Sequence, residues 1–261
     1  VVVFAGQGDA RRSLSLLWGT EPAEQTRPGP KPALTAETIA AAAIELADEK
    51  GMAALSMRAV GERLGRTAMA LYTYVPGKSE LIDLMYDRAH AELSGDYPAD
   101  DGWRGAVTAW AEDLWRFYQR HPWLLQVSQV RPVQGPHEFA VLEKLLTILD
   151  TSGLSAAVLR RVVGTLFHFV RGAAQTVAEA RLAARSTGVS NDDWWHSRAA
   201  VMAEVVPDFA ERFPTLVRLG RDDTFQLDPG RPYLEQQAEE TFAVGLTVLL
   251  DGIESAVARS S

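Results

Sequence analysis

Apolar residues recur along this chain at three- and four-residue steps, the period of one face of an α-helix. In the stretch 35–50 the stripe is Ile39, Ala43, Leu46 and Ala47. Thr35 stands where a helix N-cap belongs, Glu37 falls in the first turn, and Gly51 marks the stop. Ser56 opens a second predicted helix with Met57, Val60 and Leu64 inward, and Gly65 ends it. Thr67 caps a third, short helix reaching Tyr74. Pro76 and Gly77 stop that one, and a fourth spans 78–93.

The pattern resumes after the gap at 95–102. Trp103, Val107, Trp110, Leu114 and Phe117 line one helical face, and Pro122 interrupts it. Helices are predicted at 139–149, at 155–185 (Val158, Val162, Leu166, Phe169, Ala173 and Val177 inward) and at 192–206. Pro214, Gly220, Pro229 and Gly230 break 213–231. Pro232 opens a last helix with Phe242, Leu246, Leu249, Ile253 and Val257 inward. No alternating strand series and no internal repeat occurs, so the predicted fold is all-α. Residues 1–33 read as an arm, because Pro22, Pro28, Pro30, Pro32 and Gly29 block a regular helix. Within it, Leu14 to Trp18 form an apolar cluster suited to one docked helix.

Composition narrows the function. The 261 residues include no cysteine, which excludes disulfides, thiolate zinc or iron–sulfur sites and a cysteine nucleophile. The longest clear apolar run, 242–250, has nine positions, against roughly 18–20 for a membrane span. No membrane partner is expected, and a cytoplasmic location fits. Val1 to Gly6 lack the basic region and length of a secretory signal. Net charge is −8, which argues against a bulk-basic nucleic-acid binder. The charge is uneven, however. Residues 56–78 hold Arg58, Arg63, Arg66 and Lys78 against Glu62 alone, whereas 94–261 hold 16 basic and 22 acidic residues. A local basic patch on an acidic body still attracts DNA. The five histidines are scattered, and His121 and His137, sixteen apart, lack an evident third ligand. No zincin, Walker, nucleophile-elbow or Rossmann motif is present. No catalytic residue, cofactor or metal site is therefore expected.

The informative stretch is 56–78, which has helix–turn–helix spacing. Any packing corner of a helical domain produces some such geometry, so the neighbouring residues matter. The run Leu-Gly-Arg-Thr-Ala-Met-Ala-Leu-Tyr-Thr-Tyr-Val-Pro-Gly-Lys-Ser-Glu-Leu, Leu64 to Leu81, closely resembles the recognition segment of the tetracycline-repressor (TetR/AcrR) family. The 35–51 helix and Leu55-Ser56-Met57-Arg58 match that family's opening, so the resemblance covers about 33–93. It implies an N-terminal arm (1–33), a DNA-binding domain (34–80) and a helical ligand-binding and dimerisation domain (81–261), joined by the helix 78–93.

The resemblance also implies roles. Thr67 caps the recognition helix and touches phosphate. Ala68, Met69 and Ala70 form its leading face toward base edges, and Leu71 points inward. Tyr72 and Tyr74 offer hydroxyls to the backbone, Thr73 sits at a base-reading position, and Lys78 meets phosphate. Arg27 and Lys31 reach a flanking phosphate or the minor groove. Ala68, Met69 and Ala70 provide no bidentate donor. Base reading then rests on thymine-methyl contacts, Thr73 and Arg66, and shape carries more of the specificity.

The implied partners are double-stranded operator DNA, a second copy of the chain and a small-molecule effector. Dimerisation would pair helices 155–185 and 232–258 in a four-helix bundle, with Gly164, Gly172, Ala173, Gly245 and Gly252 allowing close approach; the same stripes would also serve as a domain's own core. An apolar or aromatic effector suits a tryptophan-rich pocket drawn from Trp110, Trp123, Phe139, His168, Arg171 and Gln175. Each of these also has a plain core or surface reading, with Arg171 free to pair with Glu143 or Glu179. Trp194 and Trp195, adjacent on one helix, cannot both face the core. Tyr86 and His90 lie where the connecting helix could sense the pocket. Rival readings are a helical interaction module that does not bind DNA and, less favoured, an enzyme.

Overall fold

The short helices of the N-terminal half are set by their caps. The structure, a computed structural model, describes residues 2–20, 34–93, 95–97, 102–221, 228 and 230–260. A two-residue strand β1 (Val3–Phe4) precedes α1 (Ala10–Leu17), whose N-terminus is capped by Asp9 Oδ1 accepting from Arg12 N at 2.9 Å. Helix α2 (Ala36–Lys50) opens on Thr35, whose hydroxyl accepts from Thr38 N while the Thr38 hydroxyl accepts from Thr35 N. Gly51, at φ 74°, closes it. Ser56 caps α3 (Met57–Arg63) and Thr67 caps α4 (Ala68–Tyr72), each through its hydroxyl to the N–H three residues on. Helix α5 (Lys78–His90) follows, then α6 (Gly102–Arg120).

A 3-10 turn, Pro122–Gln126, leads into β2 (Val127–Ser128), α7 (Pro136–Asp150) and α8 (Ala156–Thr187). The remaining helices are α9 (Asn191–Val205), α10 (Phe209–Arg212), α11 (Pro214–Arg221) and α12 (Tyr233–Ser260). The fold is all-α apart from one parallel pairing that the periodicity did not announce: Val3 opposite Val127 and Phe4 opposite Ser128. Two residues per strand are too few to alternate visibly. Within residues 2–20 the chain forms β1 and α1, and the apolar cluster expected at 14–18 to suit one docked helix overlaps α1, which packs on α5.

Contacts divide the chain into two units, Val1–Arg171 with Gly252–Ser261 and Gly172–Asp251. The first holds the helix–turn–helix together with helices α5 to α7. Helix α5 is its hub, packed by α1, α2 and α7. Trp110, Leu114, Phe117, Tyr118, Trp123, Leu124 and Leu145 are fully buried there.

Polar side chains on α5 are buried too. Asp83 Oδ1 accepts from Gly6 N at 2.8 Å, and Asp87 Oδ1 accepts from His137 N and Glu138 N, both at 2.9 Å. Asp87 therefore caps α7 from another helix, where the α7 N-cap, Gly135, has no side chain to do so. A Cβ on Gly135 would collide with that carboxylate, and one on Gly8 with the carboxylate of Glu80. Burial pushes Asp83 and Asp87 above the usual carboxylate range, partly offset by these N–H donors.

On α8 the expected Leu166 and Val177 face inward but the other inward positions sit one residue further on, whereas α12 buries Phe242, Leu246 and Ile253 as expected, with Leu250 in place of Leu249. On α8 the buried residues are Leu159, Val163, Leu166, Val170, Ala174, Val177 and Ala180, while Val158 is exposed. On α12 they are Ala238, Phe242, Leu246, Leu250 and Ile253, while Val244 and Val248 are about two-thirds exposed (65% and 63%). Both helices are apolar on more than one face, so periodicity alone could not choose between faces. Within Tyr233–Arg259 an 18-residue window reaches a mean hydropathy of 1.5, so by length and composition alone this helix could cross a membrane. The nine-residue apolar run counted on the sequence understated it, because small and hydroxyl residues extend the window.

In the second unit, Arg181 donates Nε and Nη2 to the two oxygens of Glu235, at 3.0 and 2.8 Å. No α9 residue is buried, and both Trp194 and Trp195 are exposed.

Replacing Asp87 by alanine frees two N–H groups at the start of α7 and is expected to cost ~2–3 kcal/mol. Asp87→Asn keeps one acceptor oxygen and should cost less. Urea unfolding midpoints of the two variants check the order.

Candidate nucleic-acid interface

The α3–α4 corner is built on two glycines. Gly65 turns the chain at φ 65°, a left-handed conformation that costs other residues roughly 1–2 kcal/mol. Gly61 lies buried on α3. Its carbonyl accepts from Arg66 N at 2.8 Å, and a Cβ on it would come within 2.8 Å of the Arg66 carbonyl oxygen and 3.2 Å of Ala68 N. The two helices can cross this closely only because position 61 is bare. Gly61 was not singled out on the sequence, although a glycine inside a short buried helix is the signal for it.

Leu71 and Val75 are completely buried, anchoring α4 against α3. This leaves one face of α4 outward. Arg66, Thr67, Met69, Tyr72, Thr73 and Lys78 are exposed, Met69 at 74%, and Ala68, Ala70 and Tyr74 are half-buried. Thr67 Oγ1 accepts from Ala70 N at 3.4 Å. Arg27 and Lys31 lie outside the described residues.

Charge counting along the sequence overstated the patch. Arg63 is held by Glu45 and Glu49 of α2, with contacts of 2.7–3.1 Å, and its guanidinium is stabilised in the charged form by those hydrogen bonds. Arg58 pairs with Glu62 at 2.8 Å. Arg66 and Lys78 form no ion pair among the described residues. Two cations beside α4 are thus uncommitted, and Arg63 instead clamps α3 onto α2.

Farther along, His121 has both ring nitrogens against carboxylates. Nδ1 is 2.9 Å from Asp48 of α2, and Nε2 is 3.1 Å from Glu92, just past α5. Arg120 also reaches Glu92, at 3.4 Å. His137 is elsewhere, at the start of α7. No group of three or more His, Asp or Glu residues among the described residues is placed to hold a metal ion.

The six residues expected around an effector are dispersed. Trp110 is buried edge-on to Phe167, with centroids 5.0 Å apart, and Trp123 is buried with its indole N–H unpaired. Arg171 donates to the carbonyls of Leu124, Leu125 and Val127 rather than to Glu143 or Glu179, and it lies over the Tyr118 ring. Phe139 is on the surface against Trp18, His168 is exposed, and Gln175 donates to Glu179 in the second unit. Other polar groups are buried with Trp110. Tyr118 Oη accepts from Gln129 Nε2 at 3.2 Å, and His90 Nδ1 donates to the Tyr86 carbonyl at 2.7 Å. Burial lowers the His90 pKa to about 4, so the ring is neutral at physiological pH.

A capped short helix exposed over a braced corner, with free cations at both ends, defines a helix–turn–helix DNA-binding regulator. The family model for bacterial regulatory proteins of the tetR family matches residues 39–85, and that for the tetracyclin repressor-like C-terminal domain matches residues 97–257. The HTH-type transcriptional repressor DrrR1 of Streptomyces coeruleorubidus is 38% identical over 258 residues, 98% of this chain and 89% of its own length. Among solved structures, the regulator SCO7222 of Streptomyces coelicolor is 27% identical, with TM-score 0.63 over 85% of this chain and 99% of its own. ActR of the same organism, in complex with actinorhodin, is 23% identical, with TM-score 0.65 over 85% and 95%. The chain belongs to the TetR family of transcriptional regulators.

Gly61→Ala is expected to destabilise the corner by ~1–3 kcal/mol and to move α4 relative to α3. Circular dichroism melting checks the first effect. Loss of binding to any DNA the parent protein recognises checks the second.

Proposed function

We propose that this regulator is a homodimeric repressor that places α4 of each copy in successive major grooves of an inverted-repeat operator and releases it on binding a small molecule. The observation that carries the reading is the free leading face of α4, flanked by Arg66 and Lys78, which form no ion pair among the described residues. Thr67, Tyr72, Tyr74 and Lys78 serve the phosphates. Ala68, Met69 and Thr73 meet base edges, with Arg66 as the one long donor at the turn. Arg27 and Lys31 extend the contacts along the flanking duplex.

One five-residue helix offers too little surface for tight, specific binding, so two copies are required. The exposed apolar residues Val244 and Val248 on α12 suit helix pairing between copies. That pairing would cover the apolar surface of α12 that otherwise resembles a membrane span. The effector is an aromatic molecule bearing hydrogen-bonding groups. Trp110 and Trp123 supply ring surface, and Tyr118 and the Trp123 N–H, which has no partner among the described residues, supply polar partners. ActR, a fold neighbour, is described in complex with actinorhodin. A protein working on chromosomal DNA acts in the cytoplasm.

Selection of bound duplexes from a random pool tests the reading. An enriched inverted repeat with half-sites about one helical turn apart is expected; absence of enrichment by folded dimer defeats it. On the selected site, Lys78→Ala should flatten the dependence of log affinity on log salt by about one unit per half-site. Arg66→Ala should instead relax discrimination at a single base pair in each half-site. Uniform weakening by Arg66→Ala would assign that residue to phosphate.

A further inference from the structure

The acidic residues of α2 lie on successive turns and are engaged at two ends. Glu45 and Glu49 hold Arg63 of α3, whose neighbour Gly61 sets the crossing with α4. Asp48, between them in sequence, holds His121, which follows α6. On its other nitrogen His121 meets Glu92, just past the end of α5. The His121 side chain is 9% exposed, and its ring packs edge-on against Phe117 at 5.3 Å and Trp123 at 6.5 Å. A contiguous set of charged contacts therefore runs from the aromatic core through His121 and α2 to the corner that carries α4.

We propose that His121 is a positioning residue for DNA recognition, a bridge that fixes α2, and with it α3 and α4, to the end of α5. The proposal rests on the reading of α4 as the element that meets DNA. Its chemistry follows from donor counting. A neutral imidazole has one N–H, so it can satisfy only one of two flanking carboxylates, whereas an imidazolium satisfies both. Burial opposes the charge, but the hydrogen bonds to Asp48 and then to Glu92 outweigh it and hold His121 above the usual histidine range. The other charged or titratable groups near it are Arg120, which shares Glu92, and His90 on α5, which burial keeps neutral. The sign is fixed by the raised folded-state value. The bridge contributes fully below the ordinary histidine pKa and is lost as pH rises through the higher one. DNA affinity should fall with it, because an unbridged α2 no longer holds the corner in one place.

The test measures affinity for the selected duplex by fluorescence anisotropy at pH 6 and pH 8.5. The wild-type protein should bind about five- to tenfold more weakly at the higher pH. His121→Gln and Asp48→Asn should be weak at both, and His121→Lys should show no pH step. Parallel profiles for wild type and His121→Gln overturn the proposal. A second arm needs no DNA. Amide exchange across residues 36–72, corrected for its intrinsic pH dependence, should quicken about tenfold in wild type over the same range and stay unchanged in His121→Gln. Failure of the wild type to bind any duplex would defeat the reading of α4 alone. Exchange that quickens equally in both proteins, or in neither, would defeat the bridge.

Discussion

A carboxylate taken out of water must be given hydrogen-bond donors, and α5 buries three of them on one side. Much of the surrounding structure answers that requirement. The backbone at Gly6 donates to Asp83, and the first N–H groups of α7 donate to Asp87. Glycines stand at positions 8 and 135, where any side chain would strike a carboxylate. The N-terminal segment is tied further by Trp18, whose indole donates to the Gln134 carbonyl at 3.0 Å. Gln134 is itself held at positive φ in the loop before α7. Helix α5 is thus a shared wall whose acidic side fixes two separate chain segments.

That arrangement bears on how a regulator of this family would transmit a signal. A helix held at Asp83, at Asp87 and, just past its end, at Glu92 has little freedom to bend locally. Displacement at one point must be carried by the whole helix or by breaking a buried hydrogen bond. Packed interiors respond to small changes by switching between discrete arrangements rather than by yielding continuously. Tyr86 and His90 face the aromatic core from this same helix, with ring centroids 4.4 Å apart, so a ligand disturbing them pushes on a stiff element.

The helix–turn–helix corner was legible from the chain because its devices are local. Thr35, Ser56 and Thr67 cap the helices they precede, and Gly51 and Gly65 turn the chain at positive φ. Each signal lies within a few residues of its effect. Devices that act across the fold were not legible. Asp87 caps a helix fifty residues away, Arg171 satisfies the carbonyls of a turn, and Arg63 counts as part of a basic patch until Glu45 and Glu49 are seen to hold it. The faces of α8 and α12 were legible in part: Leu166, Val177, Phe242, Leu246 and Ile253 are buried as expected, but these helices are apolar beyond that stripe, and a period of 3.6 cannot say which apolar face meets which neighbour. Spacing along α8 put His168, Arg171 and Gln175 near one another, but their side chains went to solvent, to backbone carbonyls and to Glu179.

Side-chain pairing also changes the electrostatic picture. With Arg58 and Arg63 paired, the local attraction for DNA rests on fewer free cations than the sequence suggests, on a body carrying net negative charge. Long-range steering is correspondingly weak, and close contacts must supply more of the affinity. Close contacts depend on placement to within a fraction of an ångström. A reading helix of five residues has no length to average over an error in tilt, so its placement is delegated to the corner at Gly61 and to the acidic turns of α2. Weak charge and strict geometry therefore go together here, and binding should respond more to what holds α2 than to the number of basic residues on the surface.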